Sequence, residues 1–343
     1  MRRFLFSWLM ISCIVCNSLA VQAGSSKSPA AYRRALLEGC GEICDTSLAC
    51  GLRPGAFFPY LRKTVDCHGL FANGFADAVT TQWPPPRQVP IELSFDYTMG
   101  KAVALHEVYF EGGVLGGGRR SRRHPARKRT NWTKATFDAM IDAARRGTLK
   151  GPYGISAISR LQSFLHKHVE KIEGKHMLVL GTEVPWLEAL LLEAGARKVT
   201  VLEYAAVTSS DPRVDTTTPT ELAKQFMESS GAEPRFDGVA TFSSVEHAGL
   251  GRYGDTLNPW GDLQAVAKAW CVTREDGPMF VGVPSSRNDT VVYNAMRFYG
   301  PMRWPHLMAN WEQVDKLQGS LYDAGVDLWH ESMVLFRRAR TLV

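Results

Sequence analysis

From residue 133 onward, apolar positions recur first at helical spacing and then in short runs separated by further helical stretches. Phe137, Met140, Ile141 and Ala144 share one face of a helix over 133–146, and Gly147 is placed just past its end. Ile158, Leu161, Leu165 and Val169 do the same over 156–170. The run 177–180 reads as a strand ending at Gly181. Pro185 opens a helix that carries Leu187, Leu190, Leu191 and Ala194 and is closed by Gly195. Strands at 198–202, 236–242, 279–283 and 328–336 alternate with helices at 220–227 and from Asp262, as N-cap, through Trp270. Strands alternating with helices predict an α/β, Rossmann-like domain with a mostly parallel sheet and helices on both faces.

The first part of the chain is less regular. Residues 103–110 could form one strand, and Trp83-Pro84-Pro85-Pro86 must be extended, because each proline pushes its predecessor out of the helical region. Residues 112–130 are Gly-rich and then Arg-rich, as expected of a linker or exposed loop. Arg120-Ser121-Arg122-Arg123 within it also fits a dibasic processing site. At the start, Arg2 and Arg3 precede an apolar run over 4–15, with small-residue cleavage sites at Ser18-Leu19-Ala20 and Val21-Gln22-Ala23. This is the pattern of a signal peptide; a retained type II membrane anchor and a buried N-terminal helix are the alternatives. The expected organisation is a targeting segment at 1–23, a cysteine-containing region at 24–111, a basic loop at 112–130 and a Rossmann-like domain at 131–343.

Cysteine usage and sequons point the same way, to the secretory lumen or the exterior. Cys40, Cys44, Cys50 and Cys67 cluster near the N-terminus, with spacing poor for zinc and suited to two disulfides of undetermined pairing. Cys271 reads as a buried free thiol. Asn131-Trp132-Thr133 and Asn288-Asp289-Thr290 are glycosylation sequons. Charge changes the picture less than it first suggests. The 40 basic and 34 acidic residues give a net +6, but nine of the bases lie in the basic tract or at Arg2 and Arg3. The remainder carries 31 bases against 34 acids, so a nucleic-acid-binding face across the domain is not expected.

In open parallel sheets, ligands bind beyond the carboxyl ends of the strands. Four segments fall there: Gly181-Thr182-Glu183, Glu203-Tyr204, Ser243-Ser244-Val245-Glu246-His247 and Pro284-Ser285-Ser286. Gly181 suits a turn close to a ligand. Glu203, 22 residues later, is placed to grip ribose hydroxyls. The G-x-G-x-x-G pattern is absent and Pro185 removes a helix N-terminal amide, which disfavours a pyrophosphate cofactor. Glu246 and His247, with Asp255 closing a Gly-rich loop, could move a proton on an acceptor hydroxyl or amine. A capped structural turn is the alternative, and a Glu246–His247–Asp255 metal cluster has no diagnostic spacing. No G-x-S-x-G elbow, Walker loop or H-E-x-x-H occurs.

Val184-Pro185-Trp186-Leu187-Glu188, Gly195-Ala196, Val199 to Tyr204, Phe236-Asp237, Ser243 to Asp255, Asn258 to Asp262, Gly282-Val283-Pro284 and Tyr299-Gly300 together resemble the family called "domain of unknown function 268". The resemblance spans about residues 130–340. It implies a class I S-adenosylmethionine-dependent methyltransferase-like domain. On that resemblance Gly181 and Thr182 occupy the glycine-motif turn and Glu203 the ribose-binding position. Ser243 to His247 face the methyl donor and acceptor. The usual G-x-G pair is reduced to Gly181. The leading expectation is methyl transfer to an oxygen or nitrogen of a small molecule or glycan, with S-adenosylmethionine held by Gly181, Thr182, Glu183, Glu203, Tyr204, Ser243 and Ser244, and with Glu246, His247 and Asp255 as catalytic residues. A non-catalytic lumenal or extracellular binding protein on a degenerate scaffold is the alternative. A nucleotide-sugar glycosyltransferase would want an Asp-x-Asp motif, which the chain lacks.

Overall fold

The computed structural model describes residues 28–47, 61–78, 84–107, 129–229, 235–317 and 330–339. The expected targeting segment, Cys50, Trp83 and the basic tract up to residue 128 lie outside the described residues. In chain order the elements are α1 (Pro29–Leu37), α2 (Cys67–Ala72), α3 (Ile91–Tyr97), β1 (Ala104–Glu107), β2 (Arg129–Trp132), α4 (Lys134–Arg145), α5 (Gly154–Lys167), β3 (His176–Leu180), α6 (Trp186–Glu193), β4 (Lys198–Leu202), β5 (Ala206–Ser209), β6 (Val214–Thr217), α7 (Pro219–Glu228), β7 (Gly238–Phe242), α8 (Gly261–Val272), β8 (Pro278–Ser285), β9 (Thr290–Tyr293), β10 (Met296–Phe298), α9 (Trp304–Leu307), β11 (Trp311–Lys316) and β12 (His330–Arg338).

Seven strands form the main sheet in the order β11-β12-β8-β7-β3-β4-β6. β6, β4, β3, β7 and β8 run parallel, whereas β12 is antiparallel to both β8 and β11. Numbered by their order in the chain, the strands read 3-2-1-4-5-7-6 from the β6 edge. The first five follow the doubly wound order, with its switch point between β3 and β7. The reversed strand inserted before the last gives the class I methyltransferase arrangement, as the family resemblance implied.

Strand alternation explains the two cores. Met177, Val179, Val199 and Val201 point to one face, where they pack with Phe137, Leu161, Leu165 and Leu190 from α4, α5 and α6. Leu178, Leu180, Val239 and Val281 point to the other, against Leu222 and Phe226 of α7 and Leu263 and Val266 of α8. Local signals set the helix ends: Thr133 caps α4, Thr218 and Glu221 form a capping box on α7, and Gly147 and Gly195 take positive φ after α4 and α6.

The N-terminal region does not stand apart. Leu36, Ile43, Leu70, Phe71, Leu93 and Tyr97 belong to the same apolar cluster as α7 and α8, and Phe71 stacks on Phe226 at 4.2 Å. β1 pairs in parallel with β9, and Asp77 forms an ion pair with Lys268 of α8.

Two expectations are overturned. Cys271 is not a free thiol: it is bonded to Cys67, while Cys40 is bonded to Cys44. Cys67 thus pairs outside the four-cysteine cluster expected to close two disulfides by itself, and among the described residues no group of three His, Cys, Asp or Glu side chains is placed to hold a metal. Asp262 does not cap α8, since the N-cap is Trp260. Its carboxylate instead turns inward, to Arg303 at 2.5 and 2.8 Å and to the hydroxyl of Tyr299 at 3.0 Å. A buried acid takes a guanidinium partner in preference to a helix end because that pairing offsets far more of its desolvation. Among the described residues, no helix is long and apolar enough to cross a membrane.

Candidate functional site

The carboxyl ends of β3, β4 and β7 meet at the switch point, and they bring three of the expected segments together. Gly181 has φ +68°, and a Cβ there would stand 1.8 Å from Ser244 Oγ and 3.9 Å from Glu203 Oε2. A glycine is therefore required both by the backbone and by the close approach of the loop after β7. Ser243 begins that loop with φ +48°, a strained conformation for a residue with a side chain.

Glu203 is half-buried. Its Oε2 accepts from the Thr182 amide at 2.9 Å, and its Oε1 accepts from the Tyr204 amide at 2.8 Å and the Ala205 amide at 3.4 Å. Burial pushes this carboxyl up, the three amides oppose the rise, and the charge of Glu183 adds to it. The Thr182 hydroxyl donates to the carbonyl of Val184 at 2.8 Å. Glu183 is exposed. Burial drives the Tyr204 phenol well above its ordinary range, helped by the charges of Asp77, Asp255 and Glu203.

Beyond β7, Val245, Glu246 and His247 form one buried turn of 3₁₀ helix. His247 Nδ1 donates to the carbonyl of Ala295 at 2.6 Å, which leaves Nε2 as the acceptor nitrogen, 3.6 Å from Glu246 Oε1. Burial and the charge of Arg252 push His247 down to about 3; the bond to Ala295 opposes this and Arg297 adds to it. The imidazole is thus neutral at pH 7. Such a weak base can accept a hydrogen bond from an acceptor group far better than it can remove a proton.

Asp255 lies differently from its expected catalytic role. Its carboxylate accepts from the amides of Gly249 at 2.6 Å, Gly251 at 3.2 Å and Tyr253 at 3.2 Å, so it ties the glycine loop into shape. Pro284 and Ser285 continue β8, two strands from the switch point.

Several residues at the site escaped the sequence reading. Tyr253 spans its two halves: burial raises its phenol to about 12, Arg252 opposes, and Glu183, Glu246 and Glu203 all add to the rise. Arg297 is fully buried and donates to the carbonyls of Glu246, Ala248, Asn258 and Pro259, so it holds the whole loop after β7 from beneath. Tyr32 and Tyr97 of the N-terminal region donate to the carbonyls of Leu257 and Gly249 on the same loop. Glu188, in the first turn of α6, is fully buried with neither carboxylate oxygen in a hydrogen bond. Its one sequence signal was a lone acid inside the apolar run Trp186 to Leu192.

Comparison with known proteins adds the following. No curated protein shows significant sequence similarity to the chain. An S-adenosylmethionine-dependent methyltransferase from Mesorhizobium loti aligns at 10% identity over 51% of this chain and 96% of its own, with a TM-score of 0.34. The N-methyltransferase NodS from Bradyrhizobium japonicum aligns at 13% identity over 53% of this chain and 97% of its own, with a TM-score of 0.30. Residues 174–335 match the sequence model of the family described as "Caenorhabditis protein of unknown function, DUF268", the family that the sequence resembles.

Proposed function

We propose that the protein binds S-adenosylmethionine at the carboxyl ends of β3 and β4 and transfers its methyl group to an oxygen or nitrogen of a small molecule or glycan. The observation that carries this reading is the convergence of Gly181, Glu203 and Ser244 within 4 Å at the switch point of a class I sheet. The residues present fit such a donor. Glu203 spends three acceptor positions on amides and keeps part of its surface exposed, so a ribose hydroxyl can still donate to it. Thr182, Glu183 and Tyr204 would flank the nucleoside, and Ser243 and Ser244 would face it from the loop after β7. The donor supplies a methyl group on a sulfonium, open to in-line displacement. Alignment is the main task left to the protein. Neutral His247, with its Nε2 beside Glu246, would orient the acceptor. A lumenal or secreted setting, with a type II anchor as alternative, belongs to the same proposal, and the two disulfides support it.

The test is calorimetric titration of the full chain with S-adenosylmethionine. Binding that weakens at least tenfold in Glu203→Ala is expected; no heat at millimolar ligand refutes the reading. A second reading, a non-catalytic binding protein, is favoured by two details. Ser244 of the same chain occupies the space that Gly181 leaves, and Glu203 is already engaged by its own backbone. It predicts that Glu246→Gln and His247→Ala leave function intact.

A further inference from the structure

Buried polar groups almost always have partners. At the candidate site, one carboxyl breaks that rule in a way that stability alone does not explain. α6 carries two acids. Glu193, at its end, receives Gln162 at 3.2 Å and His166 at 2.6 Å from α5. Glu188, in the first turn, has no exposed surface, and neither of its oxygens meets a hydrogen-bond partner. Outside its own backbone, the groups it senses are the carboxylate of Glu203, just past β4, and the hydroxyl of Thr182, in the loop after β3. Among the described residues, no charged group on α4, α5, β3 or β4, the elements around α6, acts on it; the charge that does is Glu203, just past β4, and it is of like sign.

Replacing an unpartnered buried carboxyl by an apolar side chain of similar size would stabilise a purely structural site. Glu188 instead lies under a loop whose acting charges, Glu203 on Glu188 and Glu183 on Glu203, are both acidic. We propose that Glu188 is the buried carboxyl beneath this site that answers the charge of its ligand, and that the ligand group bound above it is positively charged, a sulfonium or an ammonium. The inference rests on the donor-binding reading above and names a further residue for it. Without ligand, Glu188 holds its proton at neutral pH, because burial and the like charge of Glu203 outweigh the opposing pull of its own amide and Thr182. Arrival of a cation favours the carboxylate, so the O–H bond breaks and the proton passes to solvent.

The experiment is titration of the full chain with S-adenosylmethionine at pH 7 in buffers of differing ionisation enthalpy. Wild type should release close to one proton per ligand bound. Glu188→Gln should bind at least tenfold more weakly and release correspondingly fewer protons. Glu188→Gln should also lose any preference for S-adenosylmethionine over the uncharged thioether S-adenosylhomocysteine. Binding by wild type without proton release overturns the assignment of Glu188 and leaves the donor-binding reading standing, as does equal affinity and proton count in Glu188→Gln. Wild type that binds no donor overturns both. The wild-type proton count needs no variant to fold.

Discussion

The two disulfides offer a controlled test of how the N-terminal region is held. Cys40–Cys44 closes a separation of 4 residues, and Cys67–Cys271 one of 204. Both lie in the same apolar cluster, so removing either pair as Cys→Ala deletes similar buried sulfur. What differs is the unfolded chain. Closure entropy grows as (3/2)RT ln n, so the roughly 50-fold ratio of separations makes the long link worth about 3.5 kcal/mol more than the short one. On the same scale the long link alone is worth about 5 kcal/mol, a large part of a typical domain's stability. The assay is urea unfolding of oxidised Cys67→Ala/Cys271→Ala and Cys40→Ala/Cys44→Ala, followed by tryptophan fluorescence. The long-link variant should lose about 3 kcal/mol more than the short-link variant. Equal losses, or a larger loss from the short pair, would refute the reasoning and place the value of Cys67–Cys271 in local packing rather than in the crosslink.

Asp262→Ala leaves Arg303 and Arg297 buried without their carboxylate and should cost about 3–5 kcal/mol in a denaturant titration, much of it regained in Asp262→Leu/Arg303→Met. Gly181→Ala should destabilise by about 1–2 kcal/mol from its positive φ alone, with a further penalty at Ser244 Oγ that Ser244→Gly relieves in a double-mutant cycle. His306 is pushed down to about 3 by burial and by the charges of Lys63 and Arg303, against Asp45, so the unfolded chain takes up its proton first. Its contribution is full above about pH 6.5 and is lost as pH falls toward 3, and His306→Phe should flatten the acid limb of a stability–pH curve. Glu188 has the opposite sign. Its folded value is raised to about 8, so it erodes stability as pH rises from about 4.5 to 8; Glu188→Gln should gain on wild type across that window, by about 3 kcal/mol at pH 7. A gain that is flat with pH would show that the carboxyl titrates normally.

The central strands were legible because each carries a short, mostly apolar run, and β4 is found with the bounds read from sequence. The edges were not. β5 and β6 are Ala-Val-Thr-Ser and Val-Asp-Thr-Thr, half-buried and polar, with no apolar run to mark them. β11 is likewise mostly exposed beyond Trp311. Asp262 carries the signature of a cap, and only the fold brings Arg303, 41 residues on, into its reach. Cys271 looked isolated because its partner lies 204 residues away. At the site, the residue types were readable and their states were not. His247 is identifiable beside Glu246, but its neutrality depends on burial and on the charges of Arg252 and Arg297, which outweigh the opposing bond to the carbonyl of Ala295 and which only the fold brings together.

Two kinds of buried charge coexist in this molecule, and their separation in space locates the chemistry. Around α8 and α9, buried groups hold one another in their charged forms. Burial alone would push the Asp262 carboxyl up, yet Arg297 and Arg303 keep it below the ordinary carboxylate range. That network serves the fold and reaches the site only through its backbone, where Arg297 holds the carbonyls of Glu246 and Ala248. At the carboxyl ends of β3, β4 and β7, burial wins instead. Glu188 and Asp255 are raised and His247 is lowered, so each is displaced toward its neutral form. The strained Ser243 lies among them. Asp255 is accounted for by the three amides it binds, and Ser243 by the turn it makes. Glu188 and the Nε2 of His247 are not explained by the shape of the loop. They are costly to keep, they sit on opposite sides of the switch point, and Tyr253 feels charges from both sides. Groups that lower stability without shaping the backbone are the ones a ligand must explain. One of them is an acid suited to a cation and the other a neutral acceptor suited to a hydroxyl or amine. The proposed methyl donor beside its acceptor would present that pair of demands.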